Sequence, residues 1–305
     1  MVENRARSPS ATETAAATMR EAAKAPAQPR PQPNLEETAR LELGETPETK
    51  KKSLQYLRRL IEGTSSLNVP TDDDFLVSFL RARKYRVQEA FETVKKFSQM
   101  RQDLPEFFED LTPAKVPIKA ICHENELVMV SPQPDAFGRS VALLRLGAWK
   151  PSMCSFTDLI RASLLLAGRS ALDDVTQING AAGIVDLKGL NFYHMVPLTS
   201  SLIKLVQFTQ DCVPMRIKAL YIVNHPPVTE FLFSAVKPFL KSKLLARIHF
   251  IGHDASKLWD MCPRDITPAE FGGTRERFDY DRQDVFLRSR AEFFERLYSR
   301  RRPEK

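Results

Sequence analysis

The stretch from Val236 to Gly252, VKPFLKSKLLARIHFIG, combines two surfaces that a water-soluble segment rarely needs together. Lys237, Lys241, Lys243 and Arg247 alternate with Val236, Phe239, Leu240, Leu244, Leu245 and Ile248. Its end, RIHFIG, reads as a strand closed by glycine. Just upstream, Val228, Phe231, Leu232, Ala235, Val236 and Phe239 recur at the helical spacing i, i+3, i+4, i+7, i+8, i+11. Pro238 breaks or kinks that helix near its end. Phe233 and Leu240 fall outside the stripe, so the helix is apolar on more than one face. Such a helix is either fully buried or moves between a protein cavity and a second apolar phase. From Arg216 to Arg247 there are six bases, Arg216, Lys218, Lys237, Lys241, Lys243 and Arg247, against one acid, Glu230.

A helix running into a strand is half of a crossover, and the preceding sequence repeats the unit. LVMVS and RSVALLRLG, joined by a Pro/Gly turn, read as two strands. FTDLIRASLLLAGRSAL is then a largely buried helix, GAAGIVDLKG a third strand, PLTSSLIKLVQFTQDC an amphipathic helix and IKALYIVNHPP a fourth strand. RIHFIG makes a fifth. Strands separated by helices predict an α/β sheet that is at least partly parallel.

Between Thr46 and Ala120 the pattern is helical. SLQYLRRLIEG puts Leu54, Leu57, Leu60 and Ile61 on one side and stops at Gly63, and DDDFLVSFLRARKY opens with acids suited to a helix N-terminus. Ala90, Phe91, Val94 and Phe97 continue the pattern, which predicts a three- or four-helix bundle. Residues 1–44, rich in Ala, Pro, Glu and Thr, predict a disordered tail. The expected division is a tail over 1–44, a bundle over 45–120, the α/β domain over 121–275 and a basic amphipathic tail over 276–305. Arg81 and Arg83 are read as bracing the bundle against the α/β domain.

The chain has 305 residues and a net charge of +7, a mild excess that fits an anionic partner without choosing it. Cys122, Cys154, Cys212 and Cys262 lie far apart, which argues against a disulfide framework or zinc finger and fits a reducing compartment. The N-terminus has no apolar signal region, and no run approaches the roughly 18 apolar residues of a membrane span. Cytoplasmic residence with peripheral membrane contact is expected.

The motifs of the common α/β enzymes are missing: no GxSxG elbow, no GxxxxGK[ST] phosphate loop, no GxGxxG turn. His249 and His253 form HxxxH, but one sits on a predicted strand and Gly252 separates them, so one packed and one turn histidine is the simpler reading. His225 reads as a strand-end cap. No enzyme, no catalytic residue and no metal site is expected. Nucleic-acid binding is not expected either, because the bases gather beside an apolar helix and not along a stacking platform.

VKPFLKSKLLARIHFIG, with DCVPMRIKALYIVNHP and TQINGAAGIVDLKGL upstream and ITPAEFGGT downstream, resembles the CRAL-TRIO lipid-binding family, especially its retinaldehyde-binding and tocopherol-transfer members. DDDFLVSFLRARKYRVQEAFETV resembles the helical domain that precedes it there, so the likeness runs from about residue 50 to 280. It implies a lipid-binding domain with an open five-stranded, mostly parallel sheet, helices and a mobile gate helix, preceded by a small all-α bundle. The gate falls on Val228, Phe231, Leu232, Ala235, Val236 and Phe239. A phosphoinositide cleft falls on Arg216, Lys218, Lys243 and Arg247, with Lys237 and Lys241 adding general attraction.

The strand GAAGIVDLKG turns Ala181, Gly183 and Val185 inward by its alternation and the family register. Further pocket residues are Phe156, Ile160, Ser163, Leu164, Phe192, Phe208 and Ile222, with Phe231 and Val236 of the gate. The resemblance thus implies a monomeric carrier without a cofactor. It would bind a small hydrophobic lipid (a tocopherol, retinoid or other isoprenoid) and exchange it at endosomal or other phosphoinositide-bearing membranes. The small inward residues depart from the bulkier floor of retinoid-binding members. A phosphoinositide-sensing signalling adaptor and a phospholipid-transfer protein are the alternatives.

Overall fold

The computed structural model describes residues 34–254, 256–259, 262–264, 267, 273–274 and 280–298. Residues 1–33, most of the expected N-terminal tail, lie outside them. Residues 34–43, assigned to that tail, are helical. A turn of α-helix over Leu35–Thr38 runs into a π-helical turn over Ala39–Leu43. Asn34 caps it by accepting from the Glu37 amide at 2.7 Å. Leu35, Ala39 and Leu43, at i, i+4 and i+8, all turn to the core, with Ala39 and Leu43 fully buried.

The bundle follows as α1 (Pro47–Glu62), α2 (Asp73–Ala82), α3 (Val87–Asp103) and the short α4 (Pro105–Phe108). Thr46 caps α1, with Pro47 at its first position, and Asp72 caps α2. The expected stripes meet as a cluster of rings, with Phe75–Phe79 centroids 4.9 Å apart and Phe79–Phe97 5.7 Å apart.

The sheet has five strands in sequential order: β1 (Val128–Val130), β2 (Ser140–Leu144), β3 (Ala181–Asp186), β4 (Ile217–Val223) and β5 (Ile248–Gly252). β1 and β2 form an antiparallel hairpin and every later pairing is parallel. The parallel pairings are reached through helices, as parallel strands require. These are α5 (Phe156–Ala171) with α6 (Asp174–Asn179), then α7 (Met195–Asp211), then α8 (Thr229–Val236) with α9 (Ser242–Leu245). All five sequence-predicted strands are present. The kink expected at Pro238 is a short 3-10 turn, Lys237–Phe239, that ends the helix before it.

The segment expected to be a C-terminal tail contains α10 (Tyr280–Ser289) and α11 (Ala291–Tyr298), whose apolar faces are used inside the chain. Leu287 and Phe294 are fully buried, and Tyr298 lies 5.8 Å from Phe108 of the bundle, ring to ring. The buried Arg101 guanidinium donates to the carbonyls of Leu297 and Asn68 (2.6 Å to Asn68). Burial pulls its pKa down to about 10. A stripe of apolar residues in a basic helix fits a free surface and an intramolecular clasp equally well, and here it is a clasp.

Bundle and sheet domain are pinned by Arg81. It holds Glu45 through Nε–Oε2 (2.7 Å) and Nη2–Oε1 (2.8 Å), and also reaches Asp174 and, at 2.7 Å, Gln177 of α6. The expected brace is therefore Arg81. Arg83 instead donates to Thr93 Oγ1 within the bundle, at 2.7 Å, and its charge bears on Lys243.

Candidate lipid pocket and basic cleft

In the sheet register Ala142, Gly183, Leu220 and Ile248 are neighbours across four strands, as are Leu144, Val185, Ile222 and Phe250. By strand alternation both rows share one face. On the opposite face Val141, Leu143, Ala182, Ile184, Ala219 and Tyr221 are all buried. On the first face Ala142 is exposed, and Leu144, Gly183, Val185, Leu220 and Ile222 are only partly covered. A row of small and aliphatic residues in mid-sheet thus stays accessible. Gly183 sets its depth, because a Cβ there would stand 2.8 Å from the Leu220 side chain. Ala181, expected beside Gly183 and Val185, is nearly covered and sits at a register shift between β3 and β4.

The helix α8 covers the β5 end of this face. Phe233 packs on Ile248 and Phe250, with Leu220, Ile222, Leu240 and Leu245 completing the cluster. The stripe read from sequence splits in two. Val228, Leu232 and Val236 point inward with Phe233, while Ala235 is exposed and Phe231 and Phe239 are 53% and 41% exposed. Phe233, read as off the stripe, is an inner residue. Phe231 meets Phe192 at 5.9 Å between centroids, and Phe192 is itself 67% exposed. Phe192 and Phe231 therefore form an outward aromatic pair, although both were expected to wall the pocket.

Of the other expected wall residues, Phe156 and Ile160 are buried on α5, the former against Trp149 at 5.2 Å. Ser163 donates its hydroxyl to the Leu159 carbonyl at 2.9 Å. Leu164 and Phe208 line a separate apolar cavity of about 50 Å³ with Phe75, Phe97, Leu297 and Tyr298, at the junction with the bundle. That volume is far below what a lipid needs. Ala142, Leu220 and Phe250 were not singled out from sequence, and Leu240 and Leu245 were noted there only as apolar residues among the bases; the alternation of SVALL and IKALYIV carried the signal for the first two.

The basic residues gather where β4 begins. Arg216 donates to the Ile178 carbonyl and Arg247 to that of Ile217, so both guanidinium groups are fixed by backbone. Gly180, at φ 88°, makes the close approach possible: a Cβ there would lie 2.5 Å from the Arg216 carbonyl. Burial, then the charges of Arg216 and Arg247, hold the Lys218 ammonium below its usual pKa, although Glu42 opposes them. Burial and then Arg247, Arg83, Arg86 and Lys84 do the same to Lys243. Burial and then Arg216 lower Arg247. These mutual repulsions place Arg216, Lys218, Lys243 and Arg247 in one cationic field. Lys241 stands apart, paired with Asp211 of α7, while its amide donates to Gln210 Oε1 at 2.6 Å. Lys237 is partly exposed on the turn after α8.

His249 stacks on Tyr221 at 5.6 Å, and His253 stacks on His225 at 6.4 Å. Among the described residues no helix is long and apolar enough to cross a membrane.

Residues 124–273 match the family model described as the CRAL/TRIO domain. The chain is 34% identical over 245 residues to the alpha-tocopherol transfer protein-like protein of Homo sapiens, covering 79% of this chain and 70% of that one. It is 34% identical over 249 residues to clavesin-1 of Xenopus laevis, covering 81% and 75%. Among solved structures, Sfh5 superposes with a TM-score of 0.53 at 15% identity, covering 82% of this chain and 99% of that one, a likeness of fold.

Proposed function

The chain belongs to the CRAL/TRIO domain family, and on that premise we propose that it is a lipid carrier. It would take up an apolar lipid between the sheet and the α8 lid and exchange it at membranes bearing phosphoinositides. The observation that carries this reading is the juxtaposition of three surfaces. An accessible apolar sheet face lies under a lid helix, the lid shows a second apolar strip to the outside, and four bases stand where its chain re-enters the sheet. No catalytic step is part of the proposal, and the protein works as a cytoplasmic monomer without a cofactor.

The magnitudes suit reversible exchange. A ligand hiding about 400 Å² of apolar surface gains roughly 10 kcal/mol before ordering costs, enough for retention in a closed pocket. Each base near an anionic leaflet contributes about 1 kcal/mol. Three or four engaged bases therefore hold the protein at a surface for repeated visits without anchoring it. Phosphate contact favours lid opening only as far as the open form binds it better. The small floor residues Ala142 and Gly183 fit a tocopherol or other bulky isoprenoid.

The test is transfer of a fluorescent tocopherol between vesicles with and without phosphoinositide in the acceptor. Acceleration by phosphoinositide that is lost in Lys243→Gln supports the reading. Equal transfer to both acceptors contradicts the role of the cleft.

A further inference from the structure

The cationic cleft already holds an anion from its own chain. Glu42 Oε2 accepts from Arg216 Nη1 and from Lys218 Nζ, each at 3.0 Å, across 174 and 176 residues of sequence. The contact is built from both sides. Leu43 is buried next to Glu42, Gly44 turns the chain at φ 70°, and Glu45 is gripped by Arg81. The carboxylate is therefore carried to the cleft by an anchored turn. Burial by itself would raise the Glu42 carboxyl, but Lys218 and Arg216 outweigh it and hold the group below its ordinary range.

One carboxylate does not balance the site. Lys243 and Arg247 are not contacted by Glu42, and Arg83, Lys84 and Arg86 of the bundle add to the field at Lys243. Glu42 keeps 44% of its side chain exposed, so a stronger anion can reach and replace it.

We propose that Glu42 is an intramolecular competitor of the lipid headgroup and sets a charge threshold for the cleft. The inference rests on reading the cleft as a headgroup site. A headgroup with one phosphomonoester exchanges one anion for another and gains little. A headgroup with two phosphomonoesters displaces Glu42 from Arg216 and Lys218 while also engaging Lys243 and Arg247. The device converts a general attraction for anions into selection for polyphosphorylated headgroups.

The experiment is sedimentation of the full chain with phosphatidylcholine vesicles containing a few mole per cent of a phosphatidylinositol monophosphate or bisphosphate. Wild type is expected to prefer the bisphosphate. Glu42→Gln is expected to raise binding to monophosphate vesicles roughly fivefold, the scale of releasing two part-exposed ion pairs, and to raise bisphosphate binding less, so the preference narrows. Glu42→Asp, which keeps the charge, is expected to stay near wild type, and thermal unfolding of each variant checks that the fold is kept. An unchanged preference in Glu42→Gln, with binding still lost in Lys243→Gln, overturns the role of Glu42 and leaves the cleft standing. Equal rises on both vesicles also overturn the threshold. Binding unaffected by Lys243→Gln and Arg216→Gln overturns the cleft itself, and the inference with it.

Discussion

The ring of Phe233 meets that of Phe250 edge to face, with centroids 5.2 Å apart and planes inclined at 81°. The pair joins the inner side of the lid to β5, the edge strand of the sheet. An aromatic contact of this geometry contributes about 0.5–1.5 kcal/mol beyond the area it buries. Phe233→Leu keeps most of the volume and loses the contact. Release of a bound fluorescent lipid should quicken about two- to tenfold, and urea unfolding should show a loss of stability of about the worth of that contact. Unchanged release would mean that the lid is latched elsewhere.

Phe192 and Phe231 touch each other on the outside, where neither supports the core. Replacing both with Ala should weaken binding to neutral vesicles several-fold while stability stays within about 0.5 kcal/mol of wild type. Sedimentation and thermal melting separate these effects. A large loss of stability would place the pair in the fold and not at a surface.

Arg81 and Glu45 form a two-pronged ion pair whose side chains are 5% and 13% exposed. Arg81→Ala leaves Glu45 desolvated without its partner and breaks the link to α6. Removing one member of such a pair costs about 3–5 kcal/mol. Urea unfolding should show that loss, and Arg81→Lys, which cannot reproduce the fork, should recover little of it.

His225 lies with its ring 5.3 Å from that of Phe250 and beside His253. Burial first, then His253, lower its pKa, against the opposing pull of Glu230. Its folded pKa is below the ordinary 6.5, so on acidification the unfolded chain takes up the proton first. Stability is then fully present above about 6.5 and falls as pH drops from there toward the folded value. Melting temperatures measured across that window should decline, and His225→Gln should flatten the decline.

Legibility in the sequence followed the range of the interactions. The five strands could be read because each is a short apolar run closed nearby by Gly, Pro or Asn, as in IKALYIVNHPP. The helix before β5 could be located but not oriented. Val228, Leu232 and Val236 repeat every fourth residue, and so do Phe231, Ala235 and Phe239; periodicity does not say which strip meets the protein. Leu164 and Phe208 are apolar and buried as expected, yet they line the bundle junction, which depends on how two domains dock. Glu42 was not singled out, because its partners lie more than 170 residues away. The C-terminal helices read as a tail because their apolar face does not say whether its cover comes from this chain.

The central claim, that the accessible sheet face holds a lipid, is tested most directly by mass spectrometry of organic extracts from the purified protein beside Val185→Trp. Val185 stands between Leu144 and Ile222 on that face, so an indole there fills the floor. A near-stoichiometric apolar lipid in the wild type, absent from the folded variant, is the predicted result. A wild type that yields no lipid, even after incubation with tocopherols, retinoids, sterols and phospholipids, would contradict it.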